Sequence, residues 1–203
     1  MKSKNRIFIL LIIFSIVLIS IFLILYYKNS KNGNTMINKS EEEIVKNILS
    51  IKCYEAKLDI TVETNKNKTN YRISQVLQNN IATQEVLEPQ NIAGVITEYD
   101  GNNLKIKNSK LDLETIFENY QYMANNRLWL NSFIEDYQKE SNTVLTNSNE
   151  NEIILEVKTQ ENQYNFYKKL YIDKKTGKPT KMIVQDINQK TVVYILYTEM
   201  TIS

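Results

Sequence analysis

Glu55-Ala56-Lys57-Leu58-Asp59-Ile60-Thr61-Val62 alternates strictly between polar and apolar side chains. Successive strand residues point to opposite faces, so Ala56, Leu58, Ile60 and Val62 share one face and Glu55, Lys57, Asp59 and Thr61 the other. That pattern belongs to an antiparallel sheet with one face on a core and one in water. The Asn65-Lys66-Asn67-Lys68 loop leads to a second strand around Tyr71 to Leu77, and Asn79-Asn80 to a third around Ile81 to Leu87. Glu88-Pro89-Gln90 interrupts the run, after which Val95 to Tyr99 and Leu104 to Lys107 flank the hairpin turn Asp100-Gly101-Asn102-Asn103.

Upstream, Ser40 and Glu43 have the spacing of a capping box, followed by Ile44, Val45, Ile48 and Leu49 at helical intervals. A short amphipathic helix is expected there. In the middle of the chain the period changes again. Asp112 reads as the N-cap of a helix carrying Leu113, Ile116, Phe117 and Tyr120, and a second helical stretch carries Leu130, Phe133, Ile134 and Tyr137. Four strands follow: Ile153 to Val157, Phe166 to Ile172, Lys181 to Gln185 and Thr191 to Thr198, with Asp173 to Pro179 turning the chain between the second and third. The last of them is apolar on both faces, which predicts cover on both sides. With about eight antiparallel strands and segregated helices, the fold class is α+β. The expected form is a strongly curved antiparallel sheet, a half-open and incomplete β-barrel with the helices on its concave face.

An unbroken apolar run, Ile7 to Tyr27, follows Lys2, Lys4 and Arg6. As a helix it reaches about 31 Å, the thickness of a bilayer's hydrocarbon core. It is longer than a secretory h-region and ends in Leu25-Tyr26-Tyr27-Lys28-Asn29-Ser30 without a small-x-small step, so it reads as a retained signal anchor. The basic residues ahead of it favour a cytoplasmic N-terminus. The expected organisation is therefore a cytoplasmic segment 1–6, a transmembrane helix 7–27, a polar linker 28–39 and one extracytoplasmic domain 40–203 in a single-pass protein of the cell membrane. The net charge is +2, and the three basic residues before the run account for it, leaving no basic surface for nucleic acid.

The chain has no histidine, which removes the commonest general base and metal ligand and excludes serine triads, Cys-His dyads and His-based zinc sites. Cys53 is the one cysteine; it lies too far downstream of the apolar run for lipidation and reads as a buried structural thiol at a helix end. The four glycines are too scattered for a phosphate-cradling loop. Glu135 and Asp136 are adjacent carboxylates, but neighbours on a helix point apart, and a solvated face is the expected setting. No cofactor, metal or catalytic residue is expected.

Several segments together resemble one family: the amphipathic helix before Tyr54, Leu87 to Gly94, the hairpin from Tyr99 to Ile106, and the closing stretch with Leu170-Tyr171-Ile172-Asp173, Gly177 to Met182 and Ile195-Leu196-Tyr197. They are similar to the LolA-like lipoprotein-carrier superfamily, within it most to the germination lipoprotein GerS and its relatives in spore-forming Gram-positive bacteria. GerS-type proteins carry a lipobox cysteine, whereas this chain carries an apolar run. The resemblance implies a half-open β-barrel and a non-enzymatic adaptor in sporulation and germination, with a zinc-dependent cell-wall N-acetylmuramoyl-L-alanine amidase as partner. The alternative it implies is a lipid or lipoprotein carrier that takes acyl chains on the concave face. Candidate cavity or partner-binding residues are Leu58, Ile60, Trp129, Phe133, Tyr137, Tyr194 and Tyr197; the same side chains would equally form a packed core. Pairing or swapping of the doubly apolar last strand with a second copy would give a homodimer.

Overall fold

The alternation that begins at Tyr54 becomes a strand near the middle of one antiparallel sheet. The computed structural model describes residues 40–120, 128–139, 144–162 and 165–203. The apolar run 7–27 and the linker lie outside them, and among the described residues no helix is long and apolar enough to cross a membrane.

Helix α1 (Glu41–Leu49) starts where the capping box placed it, the Glu43 amide donating to Ser40 Oγ at 3.2 Å. Its buried stripe is Ile44 and Ile48. Replacing Ser40 with Ala leaves that amide without its cap and is expected to lower stability by about 1 kcal/mol, read as a shift of the urea midpoint. An unchanged midpoint would mean that water serves the amide equally well.

Strands β1 (Tyr54–Glu63), β2 (Lys68–Gln78), β3 (Ile81–Glu88), β4 (Val95–Tyr99), β5 (Leu104–Asn108) and β6 (Leu113–Phe117) form a meander. Helix α2 (Leu130–Lys139) precedes a second one, β7 (Val144–Ser148), β8 (Glu152–Asn162), β9 (Asn165–Asp173), β10 (Lys178–Gln185) and β11 (Thr191–Ile202). β11 pairs with β1 and joins the two into an 11-stranded sheet ordered β6-β5-β4-β3-β2-β1-β11-β10-β9-β8-β7. The sheet is open: β6 and β7 are its two ends.

Four expectations are corrected. The stretch after Asp112 is a strand, not a helix. Asp112 has φ +50°, which an N-cap does not adopt, and Asn108 accepts hydrogen bonds from the Lys110 and Leu111 amides to turn the chain back on β5. Leu113, Ile116, Phe117 and Tyr120 have the spacing of a helical stripe, and pairing with β5 overrides it. Strand β7 carried no apolar alternation from which to read it. The last strand is covered on one face only, since Val193, Ile195 and Tyr197 are buried while Tyr194 and Leu196 are 36% and 38% exposed. Both its edges are paired, so a second copy cannot add to it. Cys53 is half-buried between α1 and β1 rather than sealed in the core.

The Asp100 hairpin forms as expected, its carboxylate accepting from the Asn102 and Asn103 amides at 2.9 and 2.7 Å. Those bonds hold the carboxyl below its ordinary pKa, the Asn103 amide contributing most.

Candidate functional site

Strand register carries the core face across the sheet row by row. Tyr54, Leu77, Ala82, Tyr99, Leu104 and Phe117 lie opposite one another from β1 to β6 and so share a face. Leu58 and Ile73 begin a neighbouring row that continues to Val86. Near β1 and β11 these rows are sealed by α1 and α2, whose Ile44, Ile48, Leu130, Phe133 and Ile134 join the strand residues in one core cluster. At the β6 end the cover stops among the described residues: Phe117 is 44% and Leu113 61% exposed on that same face. The inner face is thus packed beneath the helices at the β1 and β11 side and uncovered among the described residues at β6.

Leu58, Ile60, Trp129, Phe133 and Tyr197 all come together in that cluster, each buried. Tyr137 packs against it, its ring 5.8 Å from and stacked on Phe133 and its hydroxyl 2.8 Å from Thr146 Oγ1. Tyr194 is the exception. It alternates with the inward Val193 and Ile195 and therefore lies on the outer face, away from the other six.

Two polar constellations sit inside the apolar face without having been singled out in the sequence. Lys168 on β9 is buried and ion-pairs with Asp136 Oδ2, and its ammonium also donates to Ser132 Oγ at 3.2 Å. Ser132 and Asp136 are one helical turn apart, which brings both to the side of α2 that meets the sheet. Asp136 is therefore not on a solvated face; only its neighbour Glu135 is exposed. An ammonium that donates to a carboxylate and a hydroxyl in a sealed site presents no free amine to a substrate. The trio is a clamp between helix and sheet. Its signal was the register Lys168, Leu170, Ile172, a lysine in phase with two buried aliphatics, but Tyr167 and Tyr171 on the other phase made either face readable as the inner one.

The second constellation ties the first three strands to the start of α2. Tyr54 Oη donates to Gln75 Oε1 at 3.1 Å, and Gln75 Nε2 donates to Gln84 Oε1 and to the Leu128 carbonyl, each at 3.2 Å. Burial pushes the Tyr54 hydroxyl well above its ordinary pKa, with nearby Tyr197 adding to the effect, and burial raises Tyr197 likewise. Among the described residues, the Tyr197 hydroxyl and Trp129 Nε1 are buried without a hydrogen-bond partner. Buried donors of this kind are uncommon in a finished core.

Elsewhere, a cavity of about 790 Å³ lies among the β1–β2 and β10–β11 turns, lined by Val62, Lys66, Ile187 and Lys190. A groove of about 660 Å³ runs along α1 between Val45, Leu49, Gln138 and Thr146. Among the described residues no group of His, Cys, Asp and Glu side chains is arranged to hold a metal ion.

A family model described as sporulation protein YdcC-like matches residues 4–203. No curated protein matches the chain. Among solved structures, the complex of the CwlD amidase from Clostridioides difficile with the GerS lipoprotein aligns with a TM-score of 0.51 and 23% identity, covering 79% of this chain and 95% of that one. An uncharacterized conserved protein from Thermus thermophilus aligns with a TM-score of 0.50 and 13% identity, covering 81% and 88%. A LolA superfamily protein from Nitrosomonas europaea aligns with a TM-score of 0.40 and 12% identity, covering 81% and 94%. The first two alignments show a shared fold.

Proposed function

Because this chain belongs to the family of YdcC-like sporulation proteins, we propose that it is a membrane-anchored adaptor that binds or regulates a cell-wall amidase outside the membrane of sporulating cells. The observation that carries the proposal is the fold shared with a structure in which the GerS lipoprotein is in complex with the CwlD amidase. The role needs no chemistry of its own, and the protein acts as a non-enzymatic binding domain. Its run Ile7 to Tyr27 would hold it in the membrane as the lipid of a lipoprotein would, with segment 1–6 in the cytoplasm and 28–39 as tether. A sheet with its core on one face and helices laid on that face curls around them, which would make domain 40–203 a half-open barrel.

A second reading, a binder of acyl chains or lipoprotein, is favoured by one observation. The inner face runs out from under the helices with Leu113 and Phe117 exposed on it, and two buried donors, Trp129 Nε1 and the Tyr197 hydroxyl, lack partners among the described residues where a ligand's carbonyl oxygen would satisfy them.

Affinity purification of the full-length protein from membranes of sporulating cells of its own host, with mass spectrometry of proteins and lipids, separates the two. The adaptor reading expects an N-acetylmuramoyl-L-alanine amidase in the eluate. Lipid without a protein partner would replace it with the carrier reading.

A further inference from the structure

The open end of the sheet carries a chemistry of its own. Strand β6 bonds to β5 along one edge and has no neighbour on the other among the described residues. Leu111, Leu113, Ile116 and Phe117 are 63%, 61%, 54% and 44% exposed, so an unpaired backbone edge and a cluster of large apolar side chains coincide. Monomeric proteins usually blunt such an edge or cover it. Interleaved with the apolar residues are three exposed acids, Asp112, Glu114 and Glu118. Glu114 is held by Lys105 at 2.8 Å, whereas Asp112 and Glu118 have no ion-pair partner among the described residues.

We infer that β6 is a docking strand for an extended segment of a partner protein that alternates apolar with basic residues. The segment adds to the free edge as a further antiparallel strand of about 17 Å. Its apolar residues lie against Leu113 and Phe117, extending the inner face, and its basic residues meet Asp112 and Glu118 at the two ends. The charges choose this occupant over others. A second copy paired antiparallel about Thr115 would bring the Asp112 that precedes β6 in each chain toward the Glu118 that follows it in the other, like charges at both ends of the pair. A membrane rich in anionic lipid would be repelled by the same acids. The identity of the partner as an amidase rests on the adaptor reading above; the strand-docking chemistry does not.

The test uses full-length protein, a fluorescent seven-residue peptide of alternating lysine and valine, and its glutamate-valine counterpart. Anisotropy titration is expected to show the lysine peptide binding at least about ten-fold more tightly than the glutamate one. The Asp112→Lys/Glu118→Lys variant should invert that preference, and Leu113→Ser/Phe117→Ser should weaken both peptides, each variant keeping the wild-type circular dichroism spectrum. Equal binding of the two peptides would overturn the inference. So would binding to phosphatidylglycerol vesicles, or a dimer in sedimentation, that Leu113→Ser/Phe117→Ser abolishes. In the affinity purification, an amidase captured by wild type and lost with Asp112→Lys/Glu118→Lys supports the edge as its site. Equal capture by both overturns the edge and leaves the adaptor reading standing. No amidase on wild type, with the peptide preference intact, overturns the adaptor reading and supports the edge.

Discussion

Replacing Lys168 with Met is expected to cost about 3–5 kcal/mol of stability, because it leaves the Asp136 carboxylate buried beside α2 without its counter-charge. Lys168 is 1% exposed and Asp136 8%, so water cannot take over the role of the ammonium without opening the helix from the sheet. The Ser132 hydroxyl loses its donor in the same step. The double variant Lys168→Met/Asp136→Leu removes both charges and should recover most of the loss, since apolar groups of similar volume often replace a buried pair at little cost. Urea unfolding of wild type, both single variants and the double variant forms a complete cycle, with the slope expected to stay constant. A Lys168→Met midpoint within about 1 kcal/mol of wild type would show the clamp to be open to water, and the description of α2 as locked to β9 would fall with it.

Phe133→Ala is the second large effect, about 3–5 kcal/mol. The ring is fully buried beneath α2, stacks on Tyr137 and belongs to the cluster that includes Leu58, Ile60, Trp129 and Tyr197. Its removal from a packed interior forfeits both the transfer free energy of the ring and the contacts around the cavity left behind. The measurement bears on function as well as stability. In a packed core the full loss is felt, whereas a ring bordering an acyl cavity already faces a void and its truncation costs little. A loss below about 1 kcal/mol would therefore shift weight from the adaptor to the carrier reading. Tyr194→Ala on the outer face is the matched control, and a change within about 0.5 kcal/mol is expected there.

These two residues also mark how far the sequence could be read. Phe133 was legible because Leu130, Phe133, Ile134 and Tyr137 recur at helical spacing, a period that identifies the buried stripe without any knowledge of what it meets. Lys168 was not legible as a core residue. Burial of a lysine depends on a carboxylate more than thirty positions earlier in the chain, and nothing local announces that the two meet. The side of the sheet on which Tyr194 lies was not legible for a related reason. Val192-Val193-Tyr194-Ile195-Leu196-Tyr197 is apolar at every position, so period alone cannot say which phase is inward; pairing with β1 and β10 does. The stretch from Leu113 to Tyr120 failed because its apolar spacing is helical, and only pairing of Leu113 to Phe117 with β5 makes it a strand.

From its sequence alone, the protein was determined to be an α+β chain. Most of its strands, the Asp100 hairpin turn and the capped first helix are properties of adjacent residues, set by steric preference, local hydrogen bonds and the spacing of apolar side chains. Tertiary structure alone decided the order of 11 strands with two open ends, the burial of the Lys168, Asp136 and Ser132 clamp, and the uncovered apolar edge at β6. Those depend on which distant segments pair and which face the helices cover, and that choice is made by the free energy of the whole assembled core, which no single stretch of chain contains.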